Sequence, residues 1–323
     1  MIRFKIGSNK VLILVSLSVI LIFALVAAVF VLRPQREKFE LVGEKIEFGD
    51  LLGMETLKGA NIKCDVDSLE SSKIAKTAYV YVAKEIGNFS VAKKFGFEID
   101  DFTEYKKDER YYKAEGRDNN KELRIDKYGS FTYRTGIGTV KKEMTLTEKD
   151  CIDIAYNYLN EQGLWHENLN KSGSFNEEKY SVKTADGYKD ELWVRGVNFF
   201  FEEDGIPVSG NARITVDINS DGEVMKVVYN YVDYTEKYEQ PLLSIEEAVE
   251  MIKSGNAHSE FDFTPTDIDI DSVVLTYWAQ VRSDKTTFMQ PVYDFSATVC
   301  DEKGEPGSAI ITVQANKLPE NEK

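Results

Sequence analysis

The stretch RITVDINSDGEVMKVVYNY, residues 213–231, carries two conflicting signals. Asp217, Asn219, Asp221 and Gly222 spell D-x-N-x-D-G, the opening of a calcium-binding EF-hand loop. The flanks point elsewhere. Ile214, Val216 and Ile218 alternate on one side, and Val224, Lys226, Val228 and Asn230 alternate on the other, the period of a strand. An EF-hand also needs a bidentate glutamate at loop position 12, and counting from Asp217 that position is Val228. Asp-Gly between alternating runs is a hairpin signal. We therefore read a turn between two antiparallel strands and assign no metal ligand.

Similar turns stand elsewhere. IDKYG (Ile125 to Gly129) and CDEKG (Cys300 to Gly304) also lie between strand-like runs, and neither has three oxygen ligands in a row. What repeats is aspartate and glycine, used by turns for local hydrogen bonding and positive φ.

Working outward, each turn closes a similar order of signals. From Leu242, Ser244 and Glu247 form a capping box. Ile245, Ala248, Val249 and Ile252 then share one helical face, and Gly255 supplies a stop. Strand-like runs follow: DSVVLTYWAQV from Asp271, MQPVYDFSATVC from Met289 and SAIITVQA from Ser308. An earlier copy begins at Leu146. Thr147 and Asp150 make a weaker box, Cys151, Ala155, Tyr158 and Leu159 line one face, and Gly163 ends the helix. Its strands are ELWVRGVNFFF from Glu191, IPVSGNARITVDI from Ile206 and EVMKVVYNYVDY from Glu223. A fainter copy holds TAYVYVAKE from Thr77, FSVAKKFG (Phe89 to Gly96) as a short helix, then RYYKAEG and KELRIDKYGSFTYRTG as a hairpin. The expected class is α+β: three units, each a helix against an antiparallel sheet.

Residues Val11–Leu32 are 22 in a row without a charge. A helix rising about 1.5 Å per residue crosses a hydrocarbon core of roughly 30 Å with that length. The run exceeds a usual signal-peptide core of about 7–15 residues, and no small-x-small site ends it. We expect an uncleaved transmembrane anchor. The ten-residue N-terminal tail is purely basic, so we expect it in the cytoplasm and the C-terminal domain outside the cell. Val15, Ser16, Ser18, Ala24, Ala27 and Ala28 give that helix small or hydroxylated surfaces for pairing with a partner's span.

The expected organisation is a cytoplasmic tail (1–10), a transmembrane helix (11–32), and a juxtamembrane stalk with a first strand (33–60). Three units follow (61–140, 141–240 and 241–316), then a charged tail (317–323). Residues 34–323 hold all 55 acidic and 36 of the 40 basic residues, a net of −19 that repels nucleic acid and anionic lipid. Cys64, Cys151 and Cys300 are odd in number and far apart, so neither a disulfide framework nor a metal motif is expected.

Other constellations carry little chemistry. Cys151 and His166 form a conceivable thiol–imidazole pair, but Cys151 sits on an apolar helical face, where an inert thiol is the common case. His258 follows the last helix. Paired acids such as Glu202–Glu203 and Asp100–Asp101 arise by chance among 55. Phe199, Phe200 and Phe201 cannot all face one side of a strand, and Tyr229, Tyr231 and Tyr234 crowd another. Exposed rings would suit a peptide or glycan; packing under the helices is the favoured alternative. No residue is read as catalytic, cofactor-binding or metal-ligating, and no enzyme is expected.

The order of these signals resembles the PepSY-like superfamily. ITVDINSDGEVMKVVYN is similar to that family's strand, Asp, Gly, strand signature. LSIEEAVEMIKSG, VVLTYWAQV and MQPVYDF resemble the C-terminal units of the YycH/YycI membrane proteins and the tandem PepSY units of the YpeB germination proteins. The resemblance covers roughly residues 70–315 and implies tandem PepSY-like units behind a single membrane anchor. It further implies a non-enzymatic role regulating a cell-wall sensor kinase of a two-component system in Gram-positive bacteria. The alternatives are an inhibitor or stabilising partner of a secreted cell-wall hydrolase or protease, and an extracellular peptide- or glycan-binding module.

Overall fold

Residues 213–231 fold into a hairpin, and its turn explains the repeat. In this computed structural model, Asn219 Oδ1 accepts hydrogen bonds from the backbone N–H of Asp221 (3.0 Å) and Glu223 (2.9 Å). Asp126 Oδ1 does the same for Tyr128 and Ser130 (2.9 and 3.0 Å), and Asp301 Oδ1 for Lys303 and Glu305 (2.8 and 2.9 Å). Each turn places glycine in the left-handed region at its fourth residue: Gly129 at φ 87°, Gly222 at 81° and Gly304 at 78°. In the middle turn the acceptor is the asparagine, not either aspartate of the D-x-N-x-D-G run.

The structure describes residues 41–46, 57, 59–69, 74–85, 89–106, 111–116, 120–136, 142–185, 187–259, 263–281 and 287–319. The strands are β1 (Asn61–Lys63), β2 (Thr77–Ala83), β3 (Thr103–Lys106), β4 (Tyr111–Glu115), β5 (Lys121–Ile125), β6 (Phe131–Thr135), β7 (Ser174–Thr184) and β8 (Gly187–Phe200). They continue with β9 (Glu202–Glu203), β10 (Ile206–Gly210), β11 (Arg213–Asn219), β12 (Val224–Tyr229), β13 (Tyr234–Pro241), β14 (His258–Ser259), β15 (Asp267–Ala279), β16 (Phe288–Cys300) and β17 (Pro306–Gln314). Two α-helices are described, α1 (Glu148–Glu161) and α2 (Ile245–Lys253). The class is a sheet-rich α+β fold. The expected anchor at 11–32 lies outside the described residues, among which no helix is long and apolar enough to cross a membrane.

Both helices begin at complete capping boxes, Thr147 with Asp150 and Ser244 with Glu247. Ile245, Ala248, Val249 and Ile252 are buried, as their spacing predicts, against Ile268, Phe295, Ile311 and Val313. Cys151, Ala155 and Leu159 of α1 pack with Leu123, Val197, Ile214 and Val216. The helix expected over 89–96 is 3-10 in form (Ser90–Phe95), ends at Gly96 with φ 80°, and stacks Phe95 on Tyr133.

The three expected units do not correspond to three sheets. Sheet I has eight antiparallel strands in the order β3-β4-β5-β6-β12-β11-β8-β7. Sheet II has nine, with β13-β2-β16-β15-β10-β9 as its path and β1, β14 and β17 beside it. Residues 61–140 therefore supply strands to both sheets, as do residues 141–240, whereas those of 241–316 stay in sheet II. Residues Glu40–Lys323 form one compact unit.

Two long strand-like runs break where the chain changes sheet. Residues 206–218 split at Gly210 into β10, parallel to β15 of sheet II, and β11 of sheet I. Gly210 has φ 89°, and a Cβ there would lie 2.3 Å from the Ala279 carbonyl oxygen. Only glycine permits that backbone approach. Residues 223–234 split likewise into β12 and the start of β13. A register shift opposite Asp217–Ile218 also changes which face of β12 is buried: Val227 and Tyr229 face the core, not the alternating set that starts at Val224.

One feature of sheet II has no hydrophobic explanation. Gln240, Gln290, Gln314 and Asn316 are all buried. The glutamines hold the N-terminal segment 41–46. Val42 N–H donates to Gln240 Oε1 (3.1 Å), Glu44 N–H to Gln290 Oε1 (3.2 Å) and Ile46 N–H to Gln314 Oε1 (3.0 Å). The Glu44 carbonyl accepts from both Gln290 (3.0 Å) and Gln314 (2.8 Å). Side-chain amides thus satisfy the backbone N–H groups of Val42, Glu44 and Ile46 and the Glu44 carbonyl. Ile46 completes the seal by packing with Val292 and Trp278.

Candidate functional site

Two of the chain crossings between the sheets, at Gly210–Ala212 and Asn230–Asp233, border a cleft. Tyr81 of β2, Phe201, Glu203 of β9, Tyr231, Asp233 and Tyr234 of β13 line it, with Val208, Ala212 and Met289 at its apolar side. Its volume is about 180 Å³. The aromatic walls are held by ring contacts: Phe201 against Tyr231 (4.8 Å between centroids), Tyr81 against Tyr234 (6.4 Å) and Tyr81 edge-on to Tyr277 (5.6 Å).

The local sequence builds this wall. Glu203-Asp204-Gly205-Ile206 makes a tight turn with both central residues at positive φ, Asp204 at 52° and Gly205 at 76°, the Asp-Gly arrangement that such hairpins favour. The turn brings the Asp204 carboxylate to the Tyr81 hydroxyl, which donates to it at 3.2 Å. Two carboxylates, Glu203 and Asp233, line the cleft, and no lysine, arginine or histidine among the described residues does so.

Burial pushes the Glu203 carboxyl above its ordinary range, and the neighbouring Asp204 charge adds to the shift. Burial likewise raises the Tyr81, Tyr231 and Tyr234 phenols, so all three are neutral donors and acceptors. The Tyr234 hydroxyl is buried, with no hydrogen-bond partner among the described residues.

The residues singled out from sequence are placed as follows. Asp217 pairs with Lys226 at 3.1 Å, Asp221 with Lys142, and Asn219 closes the turn, so the three side chains of the D-x-N-x-D-G run serve three separate partners. Among the described residues, no group of three or more His, Cys, Asp or Glu is arranged to hold a metal. Cys151 is fully buried; burial raises its thiol, with Arg195 opposing. His166 instead stacks on Tyr231 (4.2 Å) and hydrogen-bonds the Tyr229 hydroxyl, and burial lowers its pKa. His258 is buried edge-on to Trp278. Asp101 forms a reciprocal cap with Glu98 on a single 3-10 turn.

Of the phenylalanine run, Phe199 and Phe201 are buried and only Phe200 is exposed. Tyr229 is buried, and Tyr231 and Tyr234 are half-buried. The rings therefore turn into the cleft and core and form no open aromatic sheet face. In the sequence Glu203 stands as one acid among 55. Its signal was the Asp-Gly turn beside it, which fixes where that carboxylate points.

No family model and no curated protein matches the chain. The crystal structure of an uncharacterized protein from Eubacterium rectale ATCC 33656 is similar, with 13% identity and a TM-score of 0.39 over 76% of this chain and 86% of that one.

Proposed function

We propose that the protein is a non-enzymatic, membrane-anchored extracytoplasmic regulator built from tandem PepSY-like units. Its exported domain binds an envelope partner, and the partner we favour is a two-component sensor-kinase complex. The observation that carries the reading is the thrice-repeated turn, with Asp126, Asn219 and Asp301 each accepting the same two backbone hydrogen bonds. It supports repeated units and gives the PepSY-like signature a structural purpose without catalysis. The amide clamp on residues 42–46 supports the anchored part of the reading. It fastens residues 42–46, which follow the apolar run in sequence, to sheet II, a fixed point on the domain for an anchored chain.

The test is complementation of a deletion strain by three forms: the full chain, a freely secreted domain, and a chain with Val11–Leu32 exchanged for an unrelated span. Confinement to one membrane raises effective concentration to about the millimolar range for short tethers. A weak exported contact then suffices at the membrane and fails in free solution. Tethering alone predicts that the exchanged span works; helix pairing predicts that it fails. Full rescue by the secreted form at native expression sinks both, and favours a soluble role such as partner of a secreted hydrolase.

A further inference from the structure

The inter-sheet cleft has a composition that packing alone does not require. A core pocket between two sheets is ordinarily filled by aliphatic side chains. This one has four rings and two carboxylates, half-buried Glu203 and exposed Asp233 at the rim, around an open volume of about 180 Å³. Lys237 acts electrostatically on Glu203 but does not line the cleft; its ammonium sits over the Tyr79 ring, 4.6 Å from the centroid. The carboxylates at the cleft are thus left without a lining counter-charge among the described residues.

The size limits the occupant. A cavity of about 150 Å³ admits a benzene-sized group, whereas sites for drug-sized ligands run to roughly 300–1,000 Å³. A sugar ring with its hydroxyl shell or a peptide segment is too large. A single unbranched side chain fits. The chemistry limits it further. Ring faces carry negative charge and attract cations, and carboxylates attract them more strongly. Val208, Ala212 and Met289 offer an apolar surface for a methylene chain.

We propose that this cleft is a binding site for a primary ammonium at the end of a slim alkyl chain, the chemistry of a lysine side chain. The methylenes lie against Val208, Ala212 and Met289. The ammonium is neutralised by Glu203 and Asp233 and faces the Tyr81, Phe201 and Tyr231 rings. The proposal does not depend on the anchored-regulator reading, so failure of the span-exchange experiment leaves it intact.

The experiment is ligand-observed NMR titration of the full-length chain in mild detergent, with n-butylammonium as probe and 1-butanol as its neutral counterpart. Saturable binding of the cation and none of the alcohol is expected. Glu203→Gln keeps the shape and removes the charge, and is expected to weaken binding about tenfold, the order set by a charge-assisted contact. Tyr188→Ser, at a distant exposed position, leaves binding unchanged and reports that detergent and fold are not responsible. Nα-acetyl-lysine methylamide separates the two sources of the group. Binding as strong as that of the probe identifies a protein side chain, and exclusion identifies a free amine; either supports the site. Absence of saturable binding, equal binding of the alcohol, or no change in Glu203→Gln with the fold intact overturns it.

Discussion

Replacing the acceptor of each repeated turn by alanine should destabilise the protein in a fixed order, with Asp126 first, Asn219 second and Asp301 third. Asp126 is 2% exposed, and its neighbours Tyr128 and Ser130 are 3% and 4% exposed. It accepts three bonds: the two backbone N–H groups at 2.9 and 3.0 Å, and the Ser130 hydroxyl at 2.6 Å. Asp126→Ala leaves these donors where water has little access, and an unsatisfied buried donor costs about 1–3 kcal/mol. Removing a buried carboxylate relieves part of that loss, since desolvation is the largest influence on Asp126. A net loss of about 2–4 kcal/mol follows. Asn219 and Asp301 are half-buried beside exposed residues, so water can take over much of their role. About 1–2 kcal/mol for Asn219→Ala and about 1 kcal/mol for Asp301→Ala are expected at the ordinary net value per bond. The assay is guanidinium unfolding of the full chain in mild detergent, followed by tryptophan fluorescence, with the three variants measured side by side. An Asp126→Ala loss no larger than that of Asp301→Ala would refute the reasoning, because Asp126 is the more buried acceptor and holds one bond more.

Asp126→Asn tests the same site by pH. Burial raises the folded-state pKa of Asp126, so the folded state holds its proton in a window just above the ordinary carboxylate value, and stability falls as pH rises through that window. The asparagine lacks this decline and should gain on wild type from about pH 4 towards neutrality; a pH-independent difference in unfolding free energy would count against it. Gly210→Ala combines a left-handed φ with a Cβ 2.3 Å from the Ala279 carbonyl oxygen, and should lose about 3 kcal/mol or more or fail to fold; a shift within about 0.5 kcal/mol, the range of ordinary surface substitutions, would mean that the crossing is not tightly constrained. Calcium should not raise the melting temperature of the full chain, since Asn219 is committed to the turn and the two aspartates to lysines; a calcium-dependent rise abolished by Asn219→Ala would reinstate the metal reading.

The helices and turns were legible because their determinants are local. The Ser244–Glu247 box and the face of Ile245, Ala248, Val249 and Ile252 lie within nine residues of sequence and needed no tertiary knowledge. The division of strands between sheets was not legible. Residues 206–218 carry β-branched residues on both sides of Ser209-Gly210-Asn211, and that short break does not by itself show a change of partner; the close approach of Ala279 does, and it is a fact of the fold. Strands β3, β7 and β13 were missed because much of their length is exposed or only half-buried, leaving little apolar alternation. Gln240, Gln290 and Gln314 read as surface residues because amides usually are. Their burial depends on a segment about two hundred residues or more earlier in the chain. The cleft was hidden for the same reason: Tyr81 and Glu203 meet only through pairings of distant strands.

The amide clamp also sets a timetable for folding. Residues 42–46 are among the first of the domain to be synthesised, yet their partners include Gln314, and the bond from Gln314 to Glu44 spans 270 residues. Strand β2 waits similarly for β13 and for the start of β16. Val42 and β2 wait until residues 234–241 have emerged, and Glu44 and Ile46 until Gln290 and Gln314 have. Contacts of such separation close slowly, and unpaired strand edges are exposed to aggregation in the meantime. An intermediate holding sheet I, while residues 41–83 remain unpaired, is the expected long-lived species, and a chaperone that shields that stretch would speed maturation more than one acting on either helix.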